Sequence, residues 1–133
     1  MNINEYISKL EALINSSSAI ASYNLNIDRK SAEIAFISGR IEFRNDSILN
    51  FKEFIENTGK GIEKYKYAYN YRKGSDNLFR YDNAPDPRAK EIKTFPHHKH
   101  LKNGSIAESK QIDLSDVLNE IEGSYILEDR DKS

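Results

Sequence analysis

Three histidines fall within four residues, His97-His98-Lys99-His100, and the chain has no others. Histidine is the side chain whose ordinary pKa lies nearest neutrality, so the cluster suits proton transfer or metal ligation. In an extended segment His98 and His100 share one face and His97 points the other way. A metal reading has His98 and His100 chelating a divalent ion, with a carboxylate such as Asp82 as third ligand. An acid–base reading has one histidine removing a proton and another donating one, while Lys99 or Arg80 stabilises negative charge. A surface or interface cluster needs neither. The excess of positive charge nearby works against a bound cation, so acid–base chemistry on a phosphate, with no metal and no cofactor, is preferred.

Phe79-Arg80-Tyr81-Asp82-Asn83 supplies a second set of groups. On a strand Arg80 and Asp82 share a face, and the carboxylate can hold the guanidinium in one direction. The pair is either a structural ion pair or an oriented binder of phosphate, whose oxygens match the planar fork of arginine. The third set is the alternation Tyr65, Tyr67, Tyr69, Tyr71, interleaved with Lys64 and Lys66 and followed by Arg72 and Lys73. Alternating tyrosines are ordinary sheet packing. They are also stacking platforms for single-stranded nucleic acid when cations lie beside them. On the second view Lys64, Lys66, Tyr67, Tyr69, Tyr71, Arg72, Tyr81, Arg88 and Lys99 bind RNA, and Arg80, Asp82, His97, His98 and His100 carry its cleavage. The pleat limits that view, because Lys64 and Lys66 have the parity opposite to Tyr65 and Tyr67. Metal-free RNA cleavage needs a base for the ribose 2′-OH, a cation for the phosphorane and an acid for the leaving 5′-oxygen. All three residue types are present.

The elements that must position these groups follow from periodicity. Ile3, Tyr6, Ile7, Leu10, Leu13 and Ile14 recur at helical spacing, and Asn15-Ser16-Ser17-Ser18 ends the pattern. Period two then takes over. Ala21 to Ile27 is one strand; Ala35 to Phe43 is a long strand through Gly39, or a hairpin turning at Ser38-Gly39, with the long strand favoured. Ile48 to Glu56 fits a strand slightly better than a short helix. The tyrosine strand and Leu78 to Asp82 form a hairpin, and residues 83–93 form a loop. Leu114, Val117, Leu118 and Ile121 mark a final helix, with Asp113 as N-cap and Gly123 as stop. The expected fold is α+β: about five antiparallel strands with an N-terminal and a C-terminal helix on one face. Residues 1–123 form the domain, and 124–133 a flexible tail.

Length and charge set the bounds. The chain of 133 residues, 38% hydrophobic and 31% charged, suits one globular domain. The net charge of −1 hides a segregation: residues 60–102 carry eleven Lys/Arg against five Asp/Glu, and residues 103–133 carry three against eight. The absence of cysteine excludes disulfides and thiolate catalysis and suits a reducing cytoplasm. No stretch approaches the roughly 20 apolar residues of a membrane helix, and no standard signal peptide opens the chain.

Tyr65-Lys66-Tyr67-Ala68-Tyr69-Asn70-Tyr71, then Phe79-Arg80-Tyr81-Asp82-Asn83-Ala84-Pro85, then Phe95-Pro96-His97-His98-Lys99-His100 resembles the TumE-like toxins of prokaryotic type II toxin–antitoxin modules. Gly39-Arg40-Ile41, Ser47-Ile48-Leu49 and Glu53 are compatible. The likeness runs from Ala32 to Leu101, with a weaker match at the acidic C-terminal helix. It implies a small cytoplasmic toxin neutralised by a cognate antitoxin protein, with homo-oligomerisation left open. RNA cleavage without a metal extends to it by analogy with RelE-like toxins. The family pattern often has one histidine within the tyrosine strand and another after the Asp-Asn-Ala-Pro block. Here Asn70 and Asp86 stand there; if those family histidines are catalytic, this copy is either impaired or uses His97, His98 or His100 instead.

Overall fold

The computed structural model describes residues 1–126. Helix α1, Ile3–Asn15, opens the chain, with the Asn2 side chain accepting from the Glu5 N–H as its N-cap. Its buried stripe is Ile3, Ile7, Leu10 and Ile14, each contributing about 1.5–3 kcal/mol of burial free energy. Seven strands follow: β1 Ile20–Arg29, β2 Ile34–Phe43, β3 Ser47–Asn57, β4 Ile62–Lys73, β5 Asp76–Asp82, β6 His98–Leu101 and β7 Ile106–Glu108. They form one antiparallel sheet whose spatial order is the chain order. Helix α2, Leu114–Ile121, carries the expected Asp113 cap within a reciprocal capping box with Asp116.

Alternation divides the sheet into two faces. Ile37, Ile41, Leu49, Phe51, Ile55, Tyr69, Tyr71 and Phe79 point into the core shared with both helices. Tyr6 of α1 donates to Glu53, and Glu120 of α2 accepts from Tyr81 and Lys99, so both helices reach this odd-numbered face. The even-numbered face carries Arg40, Asn50, Asn70, Arg80 and His100 in one row of strand partners, and Ser38, Lys52, Ala68, Asp82 and His98 in the next.

Three features depart from the expected architecture. The sheet has seven strands rather than about five, because β6 and β7 are only four and three residues long and lack an apolar alternation. A π-helical turn, Glu122–Ile126, carries the chain past Gly123. Tyr125 packs on Tyr71 and Phe79, and Ile126 is buried. Of the expected tail, residues 127–133 lie outside the described residues. Finally, the loop at 83–93 contains a 3-10 turn, Pro87–Ala89, capped by Asp86.

Gly39 lies inside β2, opposite both Leu25 and Phe51. A Cβ there would stand 2.3 Å from the Phe51 ring and 2.9 Å from Leu25, so the strand needs a glycine for close approach rather than for a turn.

Candidate functional site

Strand register brings together residues that are far apart in sequence. Arg80 pairs with His100 and Asp82 with His98 across β5 and β6, placing all four side chains on the even face. Asp82 is the centre. Its Oδ2 accepts from Arg80 Nε at 2.8 Å and lies 3.4 Å from His100 Nε2; its Oδ1 accepts from the Ala84 N–H and lies 3.2 Å from His98 Nε2. His98 is buried, and its Nδ1 lies 2.7 Å from the Pro96 carbonyl, which can only accept, so Nδ1 carries the proton. The two Nε2 atoms of His98 and His100 are 3.0 Å apart. The side chains of Arg80 and His100 are 41% and 22% exposed, so these two reach the surface. Burial, opposed by Asp82, lowers the His100 pKa below its ordinary value.

Around this cluster the even face is open. A cleft of about 520 Å³ beside Arg80 and Asp82 is lined by Phe36, Phe54, Tyr65 and Lys66, among others. It shares Lys52, Ala68 and Arg80 with a second cleft that reaches Arg40, Asn50 and Asn70. Lys52 and Lys66 are exposed, and Arg72 belongs to the same face. Sequence periodicity missed Lys52, Asn50, Phe36 and Phe54 as members of this surface. The signal was the even parity of β2 and β3, overlooked beside the tyrosines.

The other expected residues lie elsewhere. Tyr67, Tyr69, Tyr71 and Tyr81 are buried on the odd face, where their rings pack against core residues and cannot receive a base. Tyr69 donates to Glu53, Tyr71 to Ser47 and Tyr81 to Glu120. Burial pushes the Tyr67 hydroxyl up to about 12. A β-bulge reverses the parity of the strand's start: Phe54 pairs with Lys66 but Ile55 with Lys64, which leaves Tyr65 as the extra residue. Lys64 therefore joins the tyrosine face, donating to Tyr69 Oη at 2.8 Å and to the Ile112 carbonyl, with Glu53 3.8 Å away. Burial lowers the Lys64 pKa against the pull of Glu53. Tyr65 takes the even face beside Phe54.

His97 stacks on Tyr67 and bonds its hydroxyl at 2.8 Å, apart from the other two histidines. Lys99 bonds Glu120 at 2.8 Å across the rings of Phe79 and Tyr81. Arg88 pairs with Asp86 at 2.8 Å and holds that carboxyl down at about 2. Of the two positions where the resemblance leads one to expect histidine, one adjoins the cluster. Asn70 is the strand partner of Arg80, and Asp86 lies in the loop after β5, paired with Arg88.

With this geometry established, the family model for toxin TumE matches residues 10–125. The chain belongs to the TumE toxin family. No curated protein and no solved structure matches it. The match runs from within α1 to Tyr125, so it takes in the C-terminal part of α1, the β5–β6 cluster and all of α2 of this TumE family member. No helix among the described residues is long and apolar enough to cross a membrane.

Proposed function

We propose that this protein is the toxin of a type II toxin–antitoxin module and that it cleaves RNA in the cytoplasm without a metal, restrained by a protein antitoxin. The observation that carries this reading is the single carboxylate of Asp82 set beside both Arg80 and His100 on an open face rich in Lys and Arg. Arg80 and His100 are the catalytic residues. His100 transfers a proton at Nε2, and Arg80 offers its guanidinium to the non-bridging oxygens of the phosphate as negative charge develops. The neutral His100 Nε2 takes the ribose 2′-OH proton as the 2′-oxygen attacks phosphorus; the P–O5′ bond breaks and the 5′-oxygen takes a proton from water, giving a 2′,3′-cyclic phosphate and a 5′-OH. Asp82 and buried His98 are positioning residues that hold the reacting pair. Lys52, Lys66 and Arg72 neutralise flanking phosphates, while Phe36, Phe54 and Tyr65 offer rings to unpaired bases.

The test is RNA cleavage by purified protein in excess chelator, together with growth arrest on expression without an antitoxin. Cleavage strongly reduced in Arg80→Ala and His100→Ala supports the reading. Salt-sensitive RNA binding without cleavage would replace it by a non-catalytic RNA-binding module.

A further inference from the structure

The contacts within the histidine cluster point beyond proton transfer. Because Nδ1 of His98 is committed to the Pro96 carbonyl, Nε2 of the neutral ring bears a lone pair. That lone pair faces two other potential electron-pair donors, His100 Nε2 at 3.0 Å and the Asp82 carboxylate at 3.2 Å. His100 Nε2 lies 3.4 Å from the other oxygen of the same carboxylate, Oδ2. Ligands about 2.0–2.2 Å from a tetrahedral Zn²⁺ stand about 3.3–3.6 Å from one another. The two imidazole nitrogens thus lie near that spacing from each other, with one carboxylate oxygen beside each. Outer contacts agree as well: a metal-bound histidine commonly donates its second ring N–H to a carbonyl, as His98 does, and a ligating carboxylate is itself hydrogen-bonded, as Asp82 is by Arg80 and Ala84. His100 is the part-exposed member of the set, on the open face.

We propose that Asp82, His98 and His100 form a site for one first-row divalent transition-metal ion of the Zn²⁺ or Co²⁺ class, and that its binding silences the site. Two imidazoles and one carboxylate are a borderline donor set suited to these ions rather than to Mg²⁺ or Ca²⁺. Arg80 stands against the cation and weakens its binding, which suits a reversible ion more than a permanent one. Only the silencing rests on the RNA-cleaving reading, because the ion and the transferred proton claim the same lone pair of His100.

The experiment titrates Co²⁺ into chelator-stripped full-length protein. Expected are one equivalent bound, the intense visible ligand-field band of a low-symmetry site, and displacement by Zn²⁺. His100→Ala, altered at the part-exposed ligand, should keep the circular dichroism of the wild type and lose the band, whereas His97→Ala should keep it. The absence of a band at one equivalent, or its survival in His100→Ala, would overturn the site. In a parallel arm, one equivalent of Zn²⁺ should reduce RNA cleavage at least tenfold, and cleavage that stays unchanged or rises would overturn the silencing. If chelator-treated protein cleaves no RNA, the functional reading fails while the Co²⁺ titration still decides the site.

Discussion

Asp82 does more than pair with Arg80: one carboxylate fixes the direction of a guanidinium and stands beside two imidazoles. His100→Ala should reduce RNA cleavage by about 10²–10⁴-fold, the usual scale of general acid–base catalysis, with little change in melting temperature. Arg80→Lys should also impair it, because an ammonium keeps the charge but not the two-point fork. Asp86 offers a test free of substrate. Its carboxyl should titrate at about 2 by NMR, and Arg88→Ala should move it up toward the ordinary carboxylate range. Because the folded value is depressed, the stabilisation from the Asp86–Arg88 pair is present above the ordinary carboxylate pKa and is lost as pH falls toward about 2. Much of the residue-level site was legible, since Arg80 with Asp82 and His98 with His100 share faces by parity alone. Their convergence was not, because it depends on the β5–β6 register, which joins segments separated by a loop.

Among the elements, β4 shows why period two can mislead. A single bulge moves Lys64 to the tyrosine side and Tyr65 to the open side, and neither position departs from the alternating pattern in sequence. The tyrosines are buried because two helices cover their face, and their hydroxyls meet Glu53, Ser47 and Glu120. Tyr69→Phe should cost about 1–3 kcal/mol in urea unfolding, since it removes a donor from buried Glu53 and an acceptor from Lys64. Tyr65→Ala should leave stability nearly unchanged and weaken binding of single-stranded RNA, measured by fluorescence anisotropy; an equal weakening in Tyr65→Ala and a distant surface variant would remove Tyr65 from the interface. Gly39→Ala should destabilise by about 1–3 kcal/mol, the usual scale of overpacking, because the new methyl meets the Phe51 ring. The long strands and both helices were legible from their periodicity. The short strands β6 and β7 were not, because an edge strand of polar residues draws its stability from a neighbour rather than from its own pattern.

At the scale of the whole molecule, the charge that nearly cancels in sum is separated in space. Lys52, Lys66, Arg72 and Arg80 belong to the open face of the sheet, while Glu120 of acidic α2 engages Lys99 on the other. The positive excess of residues 60–102 is therefore only partly a surface property, because Lys64 and Lys99 are spent on internal contacts and Lys52 lies outside the segment. Replacing Lys52 and Lys66 together by Ala should flatten the dependence of RNA affinity on salt by about 0.7 in log–log slope for each phosphate that is no longer neutralised. The strand order has a different kind of consequence, one of timing. A sheet in which every strand pairs with its sequence neighbour can assemble from the N-terminus as the chain leaves the ribosome. Arg80 and Asp82 emerge on β5 before His98 and His100 exist to meet them, and Glu120 arrives later still to hold Tyr81 and Lys99. Until β6 has been made, the growing polypeptide therefore carries an incomplete sheet without the four-residue cluster.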